Sequence, residues 1–378
     1  MSAAFNQDST ESKKQVPTNS NGYDPSTFLH ESDITITKEL QTLLDQATIT
    51  FKENQTNKTW YGRCIFLSWY CSLGDCTFCF RSTQKHQIKH AKNSRRSMGS
   101  VLLEAPFCKI FNWRIEFLTG GYGMMPDTEL VEFVKTVSEV YGEKIWLNIG
   151  VIPKKRRDKL QPYVKGICAS METLHPELHK KVCPSKPIAP YDNMFQEITD
   201  NNEAFKKSIA VIVGMGDQIN DMHYLFNFIE KHNLDRITLY ALKPIKGGMF
   251  QTAPTPELYI EWLARIRIKF PNLEIIAGTN LRRSEEVKYL IQAGANAITK
   301  FPATKQFATK KAELLTSQIK DEKRDFISNL TTLKDINFEE EISKLTITKE
   351  YKEQMIEKLP NYLKTFLNPK DKDPKYQE

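Results

Sequence analysis

Three cysteines lie within nine residues, Cys71, Cys76 and Cys79, in the order C-x4-C-x2-C. Thiolates this close together are soft ligands that suit an iron–sulfur cluster or a zinc ion. Three ligands leave one iron of a [4Fe–4S] cubane without a protein ligand, and a cofactor or substrate could bind there. The spacing therefore predicts a metal centre with an open coordination position.

Zinc is the alternative that the same thiolates allow. A structural zinc site uses four ligands in paired spacing, and Cys64 is the nearest further cysteine. A strand predicted over Cys64–Tyr70 would separate Cys64 from the motif by about 23 Å, which disfavours a closed tetrahedral site. The remaining cysteines, Cys108, Cys168 and Cys183, lack metal-ligand spacing.

Glycines and one acidic residue end three other predicted strands. Gly120 and Gly121 have no side chains, so backbone carbonyls could approach a ligand there, although such a pair is often only a turn. Gly214 ends the fifth strand. Glu172 ends the fourth, where its carboxylate could accept two hydrogen bonds from a diol. The alternative for Glu172 is a solvent-facing acid before a helix, which the helix dipole favours.

Further polar residues follow the predicted strands and would suit a substrate with a carboxylate or phosphate group, although each alone is more often a loop residue. These residues are Asn148, Tyr240, Lys243, Thr279, Asn280, Arg282, Arg283 and Lys300. Lys180 and Lys181 could also pair with a carboxylate. A solvated helix face is the favoured interpretation for both, because lysine is rarely buried.

Short apolar or β-branched runs alternate with amphipathic stretches along most of the chain. Eight runs are predicted strands: Cys64–Tyr70, Arg114–Thr119, Ile145–Ile149, Gly166–Glu172, Ser208–Gly214, Arg236–Leu242, Leu273–Gly278 and Ala297–Phe301. Strands that alternate with helices pair in parallel, and eight such units close a (β/α)8 TIM-type barrel. An open doubly wound sheet is the alternative. In a barrel, the cysteine motif would lie in the loop after the first strand, on the catalytic face.

The regions outside the barrel differ in composition. Residues 1–35 are polar and poor in aliphatic side chains, which predicts a disordered N-terminal segment. The barrel is expected over 36–303, starting with a helix at Ile36–Phe51. Residues 304–378 predict a C-terminal helical extension, with helices at Lys311–Asn329 and Glu339–Phe366, and a free tail.

The composition of the 378 residues is that of an ordinary globular protein, with 40% hydrophobic and 26% charged residues. The net charge of +7 is spread along the chain, without a basic run interleaved with aromatics, so nucleic acid is a disfavoured partner. No apolar run is long enough to span a membrane, and the N-terminus lacks a signal-peptide core. Seven cysteines, an odd number, disfavour a disulfide framework. A cytoplasmic location is therefore expected.

The cysteine motif resembles that of the radical S-adenosylmethionine (SAM) superfamily over residues 60–330. In that family a C-x3-C-x2-C motif follows the first strand, with an aromatic before the last cysteine, where this chain has Phe78. The first gap is one residue longer here, and Gly74 could absorb the extra residue. Gly120 and Gly121 are similar to the family's GGE motif, with Tyr122 in place of the acid.

The resemblance implies roles for these positions. Phe78 would lie at the cofactor, Gly120 and Gly121 would contact the methionine ammonium of SAM, Glu172 the ribose hydroxyls, and Gly214 the adenine. The reduced [4Fe–4S] cluster would cleave SAM to a 5′-deoxyadenosyl radical that abstracts hydrogen from a small-molecule substrate. An electron donor such as a ferredoxin or flavodoxin is the implied partner.

Within the superfamily, the chain is most similar in character to the biotin synthase/HydE group. The similarity includes the run Glu172–His179 and the seventh-strand end Ala277–Leu281. Within that group it is similar to HmdB (HcgA), which is associated with the guanylylpyridinol cofactor of the iron-only hydrogenase, although the HmdB gap has five residues, not four. Other substrates of the same chemistry are alternatives. A non-enzymatic metal- or RNA-binding protein is the alternative outside the enzymes.

Overall fold

The computed structural model describes residues 24, 26–333 and 335–367 of the chain. Eight parallel strands in this part form a closed barrel, in which β1 pairs with both β2 and β8. The barrel strands are β1 Lys58–Phe66, β2 Arg114–Thr119, β3 Ile145–Asn148, β4 Val164–Glu172, β5 Lys206–Val213, β6 Arg236–Ala241, β7 Glu274–Gly278 and β8 Ala297–Thr299. The predicted (β/α)8 barrel is confirmed, and the open sheet is excluded.

Helices follow most strands and cover the outside of the barrel. They are α1 Lys38–Asn54, α2 Phe80–Gln84, α3 Met98–Leu102, α4 Glu104–Ile110, α5 Asp127–Tyr141, α6 Lys154–Leu160, α7 Pro176–Val182, α8 Ala189–Asp200, α9 Met222–His232, α10 Pro256–Lys269, α11 Val287–Gln292, α12 Ala303–Gln306, α13 Lys310–Asp321, α14 Phe338–Ser343 and α15 Lys349–Leu367. Short 3-10 helices occur at Glu31–Asp33, Lys92–Ser94, Ile219–Asp221 and Leu281–Glu286. Within the described ranges, no helix combines the length and apolar character needed to cross a membrane.

The first strand lies earlier in the chain than predicted. β1 runs over Lys58–Phe66 rather than Cys64–Tyr70, because the β-branched and aromatic residues Thr59–Tyr61 already pair with β8 or β9. The residues after Phe66 form the loop that carries the cysteines. Cys64 therefore lies near the carboxyl end of β1, and the distance used above to disfavour it as a zinc ligand was wrong.

The barrel has a closed floor at the amino ends of its strands. The Arg236 guanidinium lies 4.2 Å from the Trp146 ring centroid and 5.5 Å from that of Trp60. Arg236 also forms an ion pair with Glu274. The cation–π contacts and the ion pair together balance the charge of Arg236. Side chains thus fill the barrel interior at the amino ends of the strands, as in other barrels.

Aromatic packing attaches the C-terminal extension to the barrel. Strand β9, Asp325–Phe326, pairs with the start of β1. Residues of the barrel and of the extension also share one aromatic cluster, in which the centroids of contacting rings lie 4.2–6.4 Å apart. The cluster comprises Tyr61, Phe107, Phe111, Trp113, Phe307, Phe338, Tyr362 and Phe366. Each fully buried aromatic contributes about 1.5–3 kcal/mol, so the extension forms part of the barrel's core.

Two terminal predictions need adjustment. Most of the segment 1–35 lies outside the described residues. Its last part, 26–35, packs on the barrel, where Leu29 is buried and its amide donates to the Arg282 carbonyl at 2.7 Å. In the extension, the predicted helix Lys311–Asn329 ends at Asp321 and is followed by β9. The predicted helix Glu339–Phe366 is divided into α14 and α15, because the Thr348 hydroxyl accepts from the Tyr351 amide and starts a new helix.

Candidate active site

The cysteine motif forms a loop at the carboxyl mouth of the barrel. Backbone hydrogen bonds attach it on two sides: the Ser72 amide donates to the Tyr122 carbonyl at 2.9 Å, and the Thr77 amide donates to the Val182 carbonyl at 2.9 Å. Gly74, with φ of +54°, supplies the left-handed conformation of the longer first gap. The loop is therefore held between the ends of β2 and α7.

The three cysteines line one pocket, which we call the cysteine pocket. Its lining residues are Cys71, Leu73, Gly74, Cys76, Phe78, Cys79, Arg81, Ser82, Thr119, Gly120, Gly121, Tyr122, Asn148, Gly150, Ser170, Glu172, Lys186 and Tyr191. All three thiols are half-buried. The pocket thus brings together, at one strand-end face, seven of the eight site residues predicted from the sequence; Gly214 is the exception.

The environments of the thiols differ. Burial raises the pKa of Cys79, and the nearby Arg81 guanidinium, 3.9 Å from its sulfur, offsets part of this effect. The pKa of Cys76 is lowered, first by a hydrogen bond from the Cys183 thiol, against its own burial. Cys183 is itself buried. The sequence spacing gave no sign that Cys183 lies beside the motif.

The donor set fits an iron–sulfur cluster. In the described ranges, no group of three or more His, Cys, Asp or Glu side chains could hold a single metal ion. Three cysteine thiols that line one pocket are donors of the type that hold an iron–sulfur cluster. Arg81 provides a positive charge beside this anionic group.

One glycine of the pair, Gly121, is required by close packing against the cysteine loop. A Cβ at Gly121 would lie 2.1 Å from the Tyr70 carbonyl oxygen and 2.6 Å from the Cys71 Cβ. At Gly120 the nearest atom would be the Met124 sulfur, 2.0 Å away, at the flexible end of a side chain. Gly121 therefore allows the backbone of the cysteine loop to lie directly on the end of β2.

The acidic wall of the pocket is a buried ion pair. Glu172 ends β4 with φ of +64°, and its Oε1 lies 2.6 Å from the Lys186 Nζ. The same ammonium donates to the Ser170 carbonyl at 2.9 Å, and the Ser170 hydroxyl donates to the Asn148 side-chain oxygen at 2.9 Å. The Glu172 carboxylate is thus buried with a cation rather than solvent-facing, so the alternative given above for this residue was wrong.

Burial is the largest single influence on Lys186 and disfavours its charged form, but the charge and hydrogen bond of Glu172, together with the nearby Cys183 and Cys76, outweigh burial and raise its pKa above the ordinary lysine value. Lys186 follows α7 in a loop, fourteen residues after Glu172. Lys180 and Lys181, considered above, are exposed on α7, as the favoured interpretation predicts. The fold, rather than the sequence, identifies Lys186 as the lysine of this region that pairs with the pocket carboxylate.

A second layer of polar residues holds the Glu172–Lys186 pair in place. The fully enclosed His179 ring bonds to the Thr173 carbonyl at 2.9 Å and to the Lys186 carbonyl at 2.6 Å. The Thr173 hydroxyl donates to the carboxylate of Asp217. Burial raises the pKa of Asp217 to about 6. The run that begins at Glu172 therefore supports the pocket through its second histidine.

Two tyrosines close another side of the pocket. The hydroxyls of Tyr122 and Tyr191 are hydrogen-bonded to each other. The Tyr122 ring covers Gly150, where a Cβ would lie 2.8 Å from the ring, and Gly150 has φ of +92°. Tyr122, which occupies the position of the acid in the GGE motif, thus forms part of an aromatic wall.

Gly214 lies outside the cysteine pocket. It follows β5 with φ of +104°, and a Cβ there would lie 2.8 Å from the Pro254 ring. Packing against Pro254 explains the glycine. Phe78 lines the pocket and packs against Cys183 and Leu242 beneath the motif.

The predicted substrate-facing residues divide into two groups. Thr279, Asn280 and Arg283 serve local structure: the Thr279 hydroxyl donates to the Arg283 carbonyl at 3.1 Å, the Asn280 side chain accepts from the Arg282 amide, and Arg283 forms an ion pair with Glu286. These contacts agree with the alternative interpretation of the three as structural residues of the loop.

The other group faces the interior or solvent. Asn148 lines the cysteine pocket, and Lys243 is exposed. The Arg282 guanidinium lies 5.8 Å from the ring of Phe28 in the N-terminal segment, so that side chain contacts the segment. Tyr240 and Lys300 lie together inside the barrel, where the Lys300 ammonium is 5.0 Å from the Tyr240 ring centroid.

Solved structures of known proteins share the barrel. HydG, the FeFe-hydrogenase maturase of Carboxydothermus hydrogenoformans, superposes with a TM-score of 0.59 over 93% of this chain and 85% of its own, at 16% identity. The methylornithine synthase PylB superposes with a TM-score of 0.57 over 70% of this chain and 78% of its own, at 20% identity. At these identities the likeness establishes the fold alone.

No protein-family model matches the chain. A sequence relative is the uncharacterized protein MJ0597 of Methanocaldococcus jannaschii, which is 32% identical over 302 residues. The matched region covers 78% of this chain and 83% of the relative. Identity at this level, over most of both chains, shows that the chain belongs to the same family as MJ0597.

Proposed function

We propose that the chain is a radical SAM enzyme, with a [4Fe–4S] cluster held by Cys71, Cys76 and Cys79 and with SAM at the iron that lacks a protein ligand. One observation carries the proposal: the three thiols line a single pocket at the carboxyl mouth of a closed parallel barrel. Catalytic groups of barrel enzymes lie at this face. When bound, the cluster would supply the electron that cleaves SAM to methionine and a 5′-deoxyadenosyl radical.

The residues around the motif would bind and orient SAM. Glu172, fixed by Lys186, presents a carboxylate whose Oε2 accepts no hydrogen bond from the described residues, so it can accept from the ribose hydroxyls. Gly120 and Gly121 expose backbone beside Cys71, where the methionine ammonium would bind. Phe78 would exclude water from the cluster side of the pocket.

The proposal is tested by anaerobic reconstitution of the full-length chain with iron and sulfide. After reduction with dithionite, the brown protein should convert SAM to 5′-deoxyadenosine and methionine, measured by chromatography. The matched control is the triple variant Cys71→Ala, Cys76→Ala, Cys79→Ala, which should remain colourless and inactive. A colourless wild-type protein that binds stoichiometric zinc and leaves SAM intact would instead support the metal-binding alternative.

For the biological role, we propose a step in cofactor biosynthesis of the HmdB type, supplied with electrons by a ferredoxin or flavodoxin. The support is the resemblance of the cysteine motif and of the Glu172–His179 run. Deleting the gene in an organism that makes the guanylylpyridinol cofactor should remove that cofactor. The wild-type gene should restore it, and the Cys76→Ala gene should not. A cofactor level unchanged by deletion would assign the enzyme to a different small-molecule substrate.

A further inference from the structure

A second set of reactive side chains lies inside the barrel, and we call it the lumen cluster: Cys64, Glu116, Tyr240 and Lys300. The Lys300 Nζ lies 3.5 Å from the Cys64 sulfur and 5.0 Å from the Tyr240 ring centroid. The Tyr240 hydroxyl donates to Glu116 Oε1 at 3.0 Å. A thiol, a cation, an acid and a phenol therefore meet within the barrel, apart from the cysteine motif.

Two local distortions of the sheet create this cluster. Between β1 and β2, Arg63 pairs with Ile115 and Cys64 pairs with Phe117, so Glu116 is an extra residue on β2. A bulge of this kind redirects a side chain, and Glu116 is fully buried. At the end of β8, Lys300 has φ of +67°. A left-handed lysine is uncommon, and this conformation sets the direction in which the Lys300 side chain leaves the end of β8.

The two charged groups of the cluster are satisfied differently. Glu116 Oε1 accepts from the hydroxyls of Thr238 and Tyr240, and Oε2 accepts from the hydroxyl of Thr299. Three donors thus occupy its carboxylate. Lys300 has only the Cys64 thiol as a hydrogen-bond acceptor, and among the described residues no carboxylate oxygen lies within 4.0 Å of its ammonium.

The Lys300 ammonium points into the barrel, although water reaches it. The side chain is exposed by solvent accessibility, yet its contacts, Cys64 and Tyr240, pack with the interior residues Phe117, Trp146 and Cys168. Burial lowers the pKa of Lys300, but the charges of Cys64 and Glu116 outweigh this effect and raise it. The Lys300 ammonium is therefore a solvent-accessible cation that contacts interior side chains, and among the described residues no carboxylate is in direct contact with it.

The lumen cluster lies beneath the cysteine pocket. Cys64 and Phe66 are two residues apart on β1, so their side chains lie on the same face of the strand. The Arg81 guanidinium lies 4.7 Å from the Phe66 ring centroid, and Arg81 lines the cysteine pocket. A molecule bound at Lys300 would therefore lie inside the barrel, on the side where the cysteine motif covers it.

We propose that the lumen cluster is the binding site for the anionic group of a small-molecule substrate, a carboxylate or phosphate, with Lys300 as its counter-ion and the Tyr240 ring as its wall. This inference rests on the proposed function, because it assumes that the substrate enters from the cysteine pocket. Glu116 is a positioning residue: it fixes the ring on which the ammonium rests.

Cys64 provides a reporter of this site in the full-length chain, kept under argon. Iodoacetate and iodoacetamide both alkylate the thiolate, forming an S–C bond with loss of iodide and of the thiol proton, but only iodoacetate carries a carboxylate. Peptide mass spectrometry gives the rate at Cys64 itself. The iodoacetate-to-iodoacetamide rate ratio should be at least about fivefold higher in the wild type than in Lys300→Met, since a charge pair at 4 Å is worth about 1 kcal/mol even in water.

Three controls keep the result decisive. Lys243→Met, which removes an exposed strand-end lysine, should leave the ratio unchanged, and Lys300→Arg should preserve it. Should Lys300→Met fail to fold, Lys300→Gln serves in its place. In the wild type, acetate or inorganic phosphate should slow the reaction of Cys64 with iodoacetamide, and the more protective of the two indicates the class of substrate anion.

Equal ratios in wild type and Lys300→Met, with no protection by either anion, would overturn the inference. SAM cleavage by the same wild-type preparation, measured without substrate, tests the proposed function separately. A protein that cleaves SAM but shows no charge preference at Cys64 is a radical SAM enzyme whose substrate anion binds elsewhere. A protein with the preference but without cleavage has the anion site without the proposed chemistry.

Discussion

The cysteine pocket and the lumen cluster contain the same kinds of side chain, connected in different ways. Each has at least one thiol and at least one tyrosine, together with a lysine and a glutamate. In the pocket, lysine and glutamate form a direct ion pair, with 2.6 Å between Lys186 and Glu172. In the lumen, Glu116 is occupied by hydroxyls, and the ammonium of Lys300 contacts a thiol. The two regions therefore differ in how their side chains are paired, not in which types of side chain they contain. The pocket has a closed ion pair in its wall, whereas the lumen has a lysine that is open to an anion.

The largest expected effect concerns which thiols hold the cluster. Cys76→Ala should abolish the brown chromophore and SAM cleavage, because a cubane iron loses its ligand. Cys183→Ala removes only the hydrogen bond to Cys76 and should weaken iron binding by about 10–100-fold, as loss of an outer partner does. Cys64→Ala should leave iron content unchanged. Iron and sulfide assays on the three variants measure this order, and loss of the cluster in Cys64→Ala would contradict the separation of the two regions.

The two lysines should differ strongly in their effect on stability. Lys186→Met leaves the buried Glu172 carboxylate without its cation, which costs about 3–5 kcal/mol of unfolding free energy. Lys300→Met removes no carboxylate pair and should change stability by less than about 1 kcal/mol. Urea unfolding of both variants, with Lys243→Met as a surface control, checks the difference. Similar losses at Lys186 and Lys300 would show that the lumen lysine is also a structural cation.

Asp217 belongs to the polar layer that supports the Glu172–Lys186 pair, and its contribution to the unfolding free energy should depend on pH. Burial raises the pKa of Asp217 to about 6 in the folded chain, above its ordinary value of 3.8. The folded state then holds the proton more tightly than the unfolded state, so the contribution of Asp217 to stability falls as the pH rises from about 4 to 6, by at most about 3 kcal/mol. Asp217→Asn should remove this slope. The measurement is the difference in unfolding free energy between wild type and variant across that range.

The smallest effect compares the two tyrosine hydroxyls. Tyr240→Phe removes a donor to the buried carboxylate of Glu116 and should cost about 1.5–3 kcal/mol. Tyr122→Phe removes a bond between two neutral hydroxyls and should cost about 1 kcal/mol. Thermal unfolding of the two variants checks the order. A larger loss of stability in Tyr122→Phe than in Tyr240→Phe would mean that the pocket wall depends on its tyrosine hydroxyl more than the lumen does.

Much of the fold could be predicted because strand and helix periodicities are local. The strand predicted at Arg114–Thr119 has those bounds in the structure, and the end of β4 at Glu172 is as predicted. The ends of β1 were not, because Arg63 interrupts its apolar run and the pairing with β8 and β9 comes from distant segments.

The site could be predicted only where its residues are close in sequence. The cysteine motif and Gly120–Gly121 could be predicted because the spacing of their residues is visible in the sequence. Lys186 reaches the pocket, and Cys183 reaches Cys76, through the residues after α7, and no pattern connects them to Glu172 or Cys76. Glu116 faces the lumen because of a bulge, which depends on the register between two strands. Such contacts are properties of the folded chain.

Strand β1 pairs with β2 on one edge and with β8 and β9 on the other. During synthesis, its second edge therefore has no partner until the ribosome has passed Thr299, and its first residues remain unpaired until Phe326 is made. The cysteine loop follows this strand directly. The loop is therefore anchored to a strand that completes its pairing only near the end of synthesis, so its final position depends on segments more than 200 residues further along the chain.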